Sequence, residues 1–386
     1  MKSHHIAGLD IVRTIAILAV VIAHSSEFLL RLANVPHIGG AIRSTVEFVQ
    51  PFGQFGVELF FVLSGFLIGN ILIRTFDSPV NFSFRQVRHF WVRRWFRTLP
   101  LYWLILTVDI VLYYFLDLKS HEMPKGLFYL FLQNLWYPHP QYFFGEAWSL
   151  SIEEWFYLTL PVAMYICTVL ARPVNKPRFL FRVFTGYLLV FVAIRIVNAF
   201  HPLNGPDQDA GIRKVVLFRL DAVMYGVLMA WFSYYYGQVM NRIKNYLLIA
   251  DVAGIVFVFY LLRGPSVRMT APENETFRFA SDAFLYVALP LFFSFCLPFA
   301  NSIKTLSSRR FSGFFTHISK ISYSMYLVHY SLIFIPFFYN YQNSSPLIIV
   351  GLYILYWVIV IGLSSLLYKY FETSILRLRD RFANEK

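Results

Sequence analysis

The stretch RTIAILAVVIAH sets a fixed cation, Arg13, and a titratable imidazole, His24, at the two ends of a run that is apolar apart from Thr14. On a helix their separation is about three turns plus roughly 20°, so the two side chains share one face about 16 Å apart along the axis. An ionisable group inside an apolar helix is costly and usually faces a bundle interior or a cavity. The shared face therefore points to a common cavity. The structural alternatives are an Arg13 that snorkels to the interface and a His24 bonded to a neighbouring helix.

Other stretches carry the same kind of signal. Trp148 opens WSLSIEEWFYL, which holds the adjacent carboxylates Glu153 and Glu154. Neighbouring helical residues point about 100° apart, so one of the two faces a given cavity. Glu153 and His24 fall at similar depth, and a carboxylate beside an imidazole can fix its tautomer and support the imidazolium. Pairing of Glu153 with an arginine for folding is the alternative. In VRRWFRTLP, Arg94 and Arg97 lie three apart on a helix start, with Arg93 beside them. Guanidiniums grip phosphate oxygens bidentately, although basic residues here also satisfy simple topology. GVELFFVLSGFLIG contains Glu58, Ser64 and the pair Gly65 and Gly69, which suits close helix packing. FRLDAVMYG places Arg219 and Asp221 in an apolar segment, where an internal ion pair is expected. ISYSMYLVHY carries His329 among hydroxyl side chains.

The elements that must position these groups are membrane helices. Of the 386 residues, 58% are hydrophobic and only 14% charged, where a soluble domain has about 25% charged. Ten apolar spans are read, at about 9–30, 55–73, 98–117, 147–170, 183–200, 215–237, 247–263, 282–300, 321–340 and 347–369. Backbone in hydrocarbon must satisfy its own hydrogen bonds, so each span is a helix. The expected fold is all-α, a polytopic bundle of about ten transmembrane helices, with residues 1–370 as one domain and 371–386 as a short basic tail. A short interfacial helix is expected near Leu127–Tyr137. The net charge of +13 falls mainly on alternate loops, which places both termini in the cytoplasm and removes the need for a nucleic-acid partner. The two cysteines, Cys167 and Cys296, sit in apolar runs and give no support for a disulfide framework or a metal site.

Taken in order, GLDIVRTIAILAVVIAH, GVELFFVLSGFLIG, Arg94-Trp-Phe-Arg97 with Pro100, WSLSIEEWFYL, FRLDAVMYG and ISYSMYLVH resemble the integral-membrane acyltransferase family 3 over essentially the whole chain. The resemblance implies transfer of an acyl group, commonly acetyl from acetyl-coenzyme A, to a hydroxyl of an envelope glycan such as O-antigen or exopolysaccharide. Some relatives acylate macrolides or lipid-linked saccharides. It implies acyl-coenzyme A, a glycan or glycolipid acceptor and the bilayer as partners, the inner (cytoplasmic) membrane as the location, and no metal. It implies catalytic importance for Arg13 and His24 and a role for Glu153, and makes Arg94 and Arg97 candidates for the donor's phosphates. Many members have Asp where Glu58 stands. Some carry an added hydrolase-like domain; this chain, ending at Lys386, resembles the stand-alone form. The expected mechanism has His24 as base, Glu153 orienting it, and Arg13 stabilising charge on the thioester oxygen. The rival reading is a proton-coupled transporter or flippase that uses the same groups as a relay, against which stands the lack of an internal repeat.

Overall fold

The computed structural model describes residues 6–34, 37–79, 82–116, 125–140, 143–200, 203–204, 209–263, 281–339 and 345–384. Its main helices are α1 (Ala7–Leu29), α2 (Gly39–Val49), α3 (Pro51–Asp77), α4 (Phe84–Phe115), α5 (Gly126–Tyr129), α6 (Ala147–Ala171), α7 (Lys176–Phe200), α8 (Leu220–Tyr235), α9 (Gly237–Arg263), α10 (Tyr286–Ser302), α11 (Arg309–Val328), α12 (Pro346–Leu366) and α13 (Thr373–Asn384). Beyond Val328, α11 runs on as a wider π-helical stretch, His329–Tyr339. Among the described residues nine helices are long and apolar enough to cross a membrane. The expected span at 215–237 is filled by α8, which has 16 residues and is preceded by a 3₁₀ turn at Val216–Phe218. At about 24 Å it is shorter than the hydrocarbon core, and most of it, from Leu220 to Trp231, is packed within the bundle.

Several boundaries differ from expectation for local reasons. The segment 74–97, read as a loop, is largely the first part of α4, because Ser83 and Gln86 form a capping box that starts the helix at Phe84. Arg85, Arg88, Arg93, Arg94 and Arg97 are therefore helical. The interfacial helix expected near Leu127–Tyr137 is a single turn, α5. Most of the tail is helical, as α13.

Helix α3 is central and packs on α1, α8 and α10. Its contact with α8 is backbone to backbone: a Cβ on Gly65 would overlap the Val223 carbonyl, and one on Gly226 would overlap that of Val62. Two buried ion pairs tie the same helices. Arg219 donates to both oxygens of Glu58 on α3, at 2.5 and 2.6 Å, and Arg195 on α7 donates to both oxygens of Asp221, at 2.7 and 2.8 Å. Arg219 and Asp221 thus pair with different helices rather than with each other, because residues two apart do not face one another. Large apolar residues such as Leu189 and Val190 on α7, Ile249 and Val256 on α9, and Ile354 and Val358 on α12 are exposed, as a lipid-facing surface requires.

Candidate active site

Two cavities lie inside the bundle and share a wall. The first, about 130 Å³, is lined by Arg13, Arg94, Arg97, Glu153, Ser64 and Ser149, with Phe60, Phe61 and Tyr323 among its apolar and aromatic walls. The second, about 1010 Å³, is lined by His24, Glu27, Gln54, His139, Trp148, Arg213 and Tyr330 among others. Val57 and Tyr326 line both. They are called here the arginine chamber and the histidine chamber.

The face of α1 that carries Arg13 and His24 turns toward α11. Arg13 donates to Ser319 Oγ at 3.2 Å, and Ser319 in turn donates to Asp10, whose carboxylate is 3.8 Å from the guanidinium. His24 Nδ1 lies 2.8 Å from His329 Nε2. The two side chains share a helix face and a neighbouring helix, but each opens into its own chamber. The expected common cavity is thereby corrected to two chambers in contact.

The histidine pair fixes its own tautomers. His329 Nδ1 sits 2.8 Å from the Tyr326 carbonyl and 3.1 Å from that of Met325. A carbonyl can only accept, so Nδ1 carries the proton and Nε2 of the neutral ring presents a lone pair. His24 Nδ1 must then be the donor, which leaves the lone pair of His24 on Nε2. That atom has no hydrogen-bond partner among the described residues and belongs to a ring that lines the histidine chamber. The π-helical turn starts at His329, so the backbone that sets this relay is itself irregular. Tyr330 covers the His24 ring, with centroids 4.6 Å apart.

Glu153 is not part of this pair. Its Oε2 accepts from the Tyr157 hydroxyl at 2.7 Å, one helical turn further along α6, and it faces the arginine chamber. Ser64 bonds the same hydroxyl from α3. The Arg94 guanidinium lies over the Tyr157 ring, 4.5 Å from its centroid. Glu153 and Arg94 thus line one side of the arginine chamber, both in contact with Tyr157, and the expectation that Glu153 orients His24 gives way to His329 in that place. Glu154 points elsewhere, into an aromatic groove with Trp95, Trp103 and Trp155. Arg97 is exposed and lies at the edge of the chamber; Arg93 is exposed and outside its lining. Glu58, Arg219 and Asp221 line neither chamber.

The wall of the histidine chamber includes groups the sequence did not single out. Burial would raise the Asp209 carboxyl, but Arg213 and Lys214 overcome this and hold it at about 2. Burial pushes the His139 imidazole down to about 3, so it is neutral at ordinary pH. Arg213 stacks on Trp148, 4.6 Å from the ring. Among the described residues no group of three or more His, Cys, Asp or Glu is placed to hold a metal ion.

A family model described as an acyltransferase domain matches residues 6–369. The chain is 25% identical over 392 residues to the O-acetyltransferase OatA of Staphylococcus aureus strain NCTC 8325 / PS 47, and 25% identical over 391 residues to a provisionally named O-acetyltransferase of strain COL. Each match covers 96% of this chain and 57% of the relative, so the chain spans little more than half the length of these proteins. No solved structure matches. With the family model matched over residues 6–369, the chain belongs to acyltransferase family 3 and is a multi-pass membrane protein.

Proposed function

We propose that this enzyme moves an acetyl group from acetyl-coenzyme A to a hydroxyl of an envelope glycan or glycolipid, with both termini in the cytoplasm of the cell and the bundle in its inner membrane. The observation that carries this reading is the contact between a chamber with three guanidiniums and a chamber with an unpartnered imidazole nitrogen. Arg97 and Arg94 suit the donor's phosphates, since guanidiniums hold phosphate oxygens bidentately. The larger chamber, with amide, carboxylate, imidazole and aromatic groups, suits a sugar.

In this scheme the thioester reaches the wall shared by the chambers. His24 Nε2 takes the proton of the acceptor hydroxyl as its oxygen attacks the thioester carbonyl. The C–O bond forms, the C–S bond breaks, and the coenzyme A thiolate leaves and is protonated by the imidazolium. His329 shares the positive charge through the Nδ1–H hydrogen bond, and Arg13 supplies fixed charge for the developing oxyanion, which low dielectric strengthens.

Arg97→Ala tests the donor's position. It should raise KM for acetyl-coenzyme A by about ten- to a hundred-fold, the loss of one charge-assisted hydrogen bond, with kcat little changed. Steady-state kinetics on protein reconstituted in lipid would show this, and a fall in kcat at constant donor KM would contradict it.

A further inference from the structure

We infer that Phe60, Phe61, Trp148 and Tyr326 form an aromatic collar between the two chambers, and that this collar limits the length of acyl chain the enzyme can transfer. The inference rests on the acyltransferase reading above.

Phe60 and Phe61 are consecutive on α3, Trp148 lies at the start of α6, and Tyr326 lies near the end of α11. Phe60 meets Tyr326 edge to face, with centroids 6.2 Å apart, and Phe61 meets Trp148 in the same way at 6.0 Å. Phe60, Phe61 and Tyr326 line the arginine chamber, whereas Trp148 and Tyr326 line the histidine chamber. The collar therefore stands where a thioester held by the arginines must meet a hydroxyl held near His24.

Three of the four rings are fixed. Tyr326 donates to the Glu146 carbonyl at 3.2 Å and accepts from Ser149 at 2.6 Å. Trp148 is backed by the Arg213 guanidinium, and Phe61 is 1% exposed. Phe60 alone is half-buried, and it has no polar anchor, so a change of rotamer is open to it. An acetyl group adds one methyl beyond the thioester carbonyl; each further methylene has to displace a ring. Phe60 is the ring that can yield, and it is the specificity-determining residue of the collar.

The test uses the full chain in sealed lipid vesicles, with acetyl-, butyryl- and octanoyl-coenzyme A supplied singly and a cell-envelope polysaccharide preparation as acceptor. Release of coenzyme A should favour acetyl over octanoyl at least tenfold in the parent, and Phe60→Ala should narrow that ratio at least tenfold. Tyr326→Phe, which removes the hydroxyl latch, should narrow it less. An unchanged ratio in Phe60→Ala overturns the inference. A second measurement does not depend on transfer. With Cys167→Ala, Cys296→Ala and Ser64→Cys in place, a membrane-impermeant thiol reagent is applied on the side where the histidine chamber opens. Labelling should be about tenfold faster once Phe60→Ala is added, and equal rates overturn the collar as a barrier. If labelling speeds up while neither parent nor variant releases coenzyme A from any donor, the acyltransferase reading fails, and with it the collar's role in acyl selection.

Discussion

His24→Ala should leave a folded bundle that has lost acyl transfer by about 10²- to 10⁴-fold, the usual worth of a positioned base. The basis is the hydrogen-bond logic of the histidine pair. His329 is buried and its Nδ1 proton is committed to a backbone carbonyl, so the only nitrogen of the pair with a lone pair directed away from both rings is His24 Nε2. His24 itself is half-buried and lines a large cavity, so its loss opens space beside existing space and costs the core little. Thermal unfolding of the variant in detergent should match that of the parent within a few degrees, while transfer of labelled acetyl to the proposed acceptor is lost. Near-normal turnover in a folded His24→Ala protein would remove the base from the scheme.

Glu58→Ala should act by a different route, through the loss of folded protein. It leaves the Arg219 guanidinium charged, wholly buried and without its carboxylate, a cost of about 3–5 kcal/mol against a total stability of about 5–15 kcal/mol. The equilibrium between folded and unfolded chains should shift by about two to three and a half powers of ten. The double variant Glu58→Leu with Arg219→Leu removes both charges and should recover much of the stability that either single change loses. A double-mutant cycle by denaturant or thermal unfolding reads this directly. Full stability of Glu58→Ala with loss of transfer alone would instead place Glu58 in the chemistry.

Parts of this architecture were legible in the sequence because a single physical rule decided them. The membrane bundle follows from composition and span length, and the close α3–α8 contact from the small residues of GVELFFVLSGFLIG. The spacing of Arg13 and His24 puts both on the α1 face that meets α11, as helix periodicity requires. Depth along a span, however, says nothing of rotation about the helix axis. Glu153 lies at a depth near His24, yet it is turned to Tyr157 and the arginines. Tyr157, four residues on in WSLSIEEWFYL, was the available sign of that pairing. His329 stood among the candidates, but nothing in a single sequence names it as the partner of His24, since the pairing joins residues 305 positions apart. The basic start of α4 is too charged to read as an apolar span, although Ser83 and Gln86 form its capping box.

The division of labour between the chambers can be read in one comparison, the kinetics of His329→Phe against those of Glu153→Gln in lipid-reconstituted protein with acetyl-coenzyme A as donor. A phenylalanine keeps an aromatic ring at this position but cannot accept from His24 Nδ1, so kcat should fall by more than about tenfold at nearly constant donor KM. Glu153→Gln, on the arginine side, should change donor KM and leave most of kcat. The reverse pattern, with kcat lost in Glu153→Gln and kept in His329→Phe, would contradict the assignment of His329 as the group that holds and supports the base.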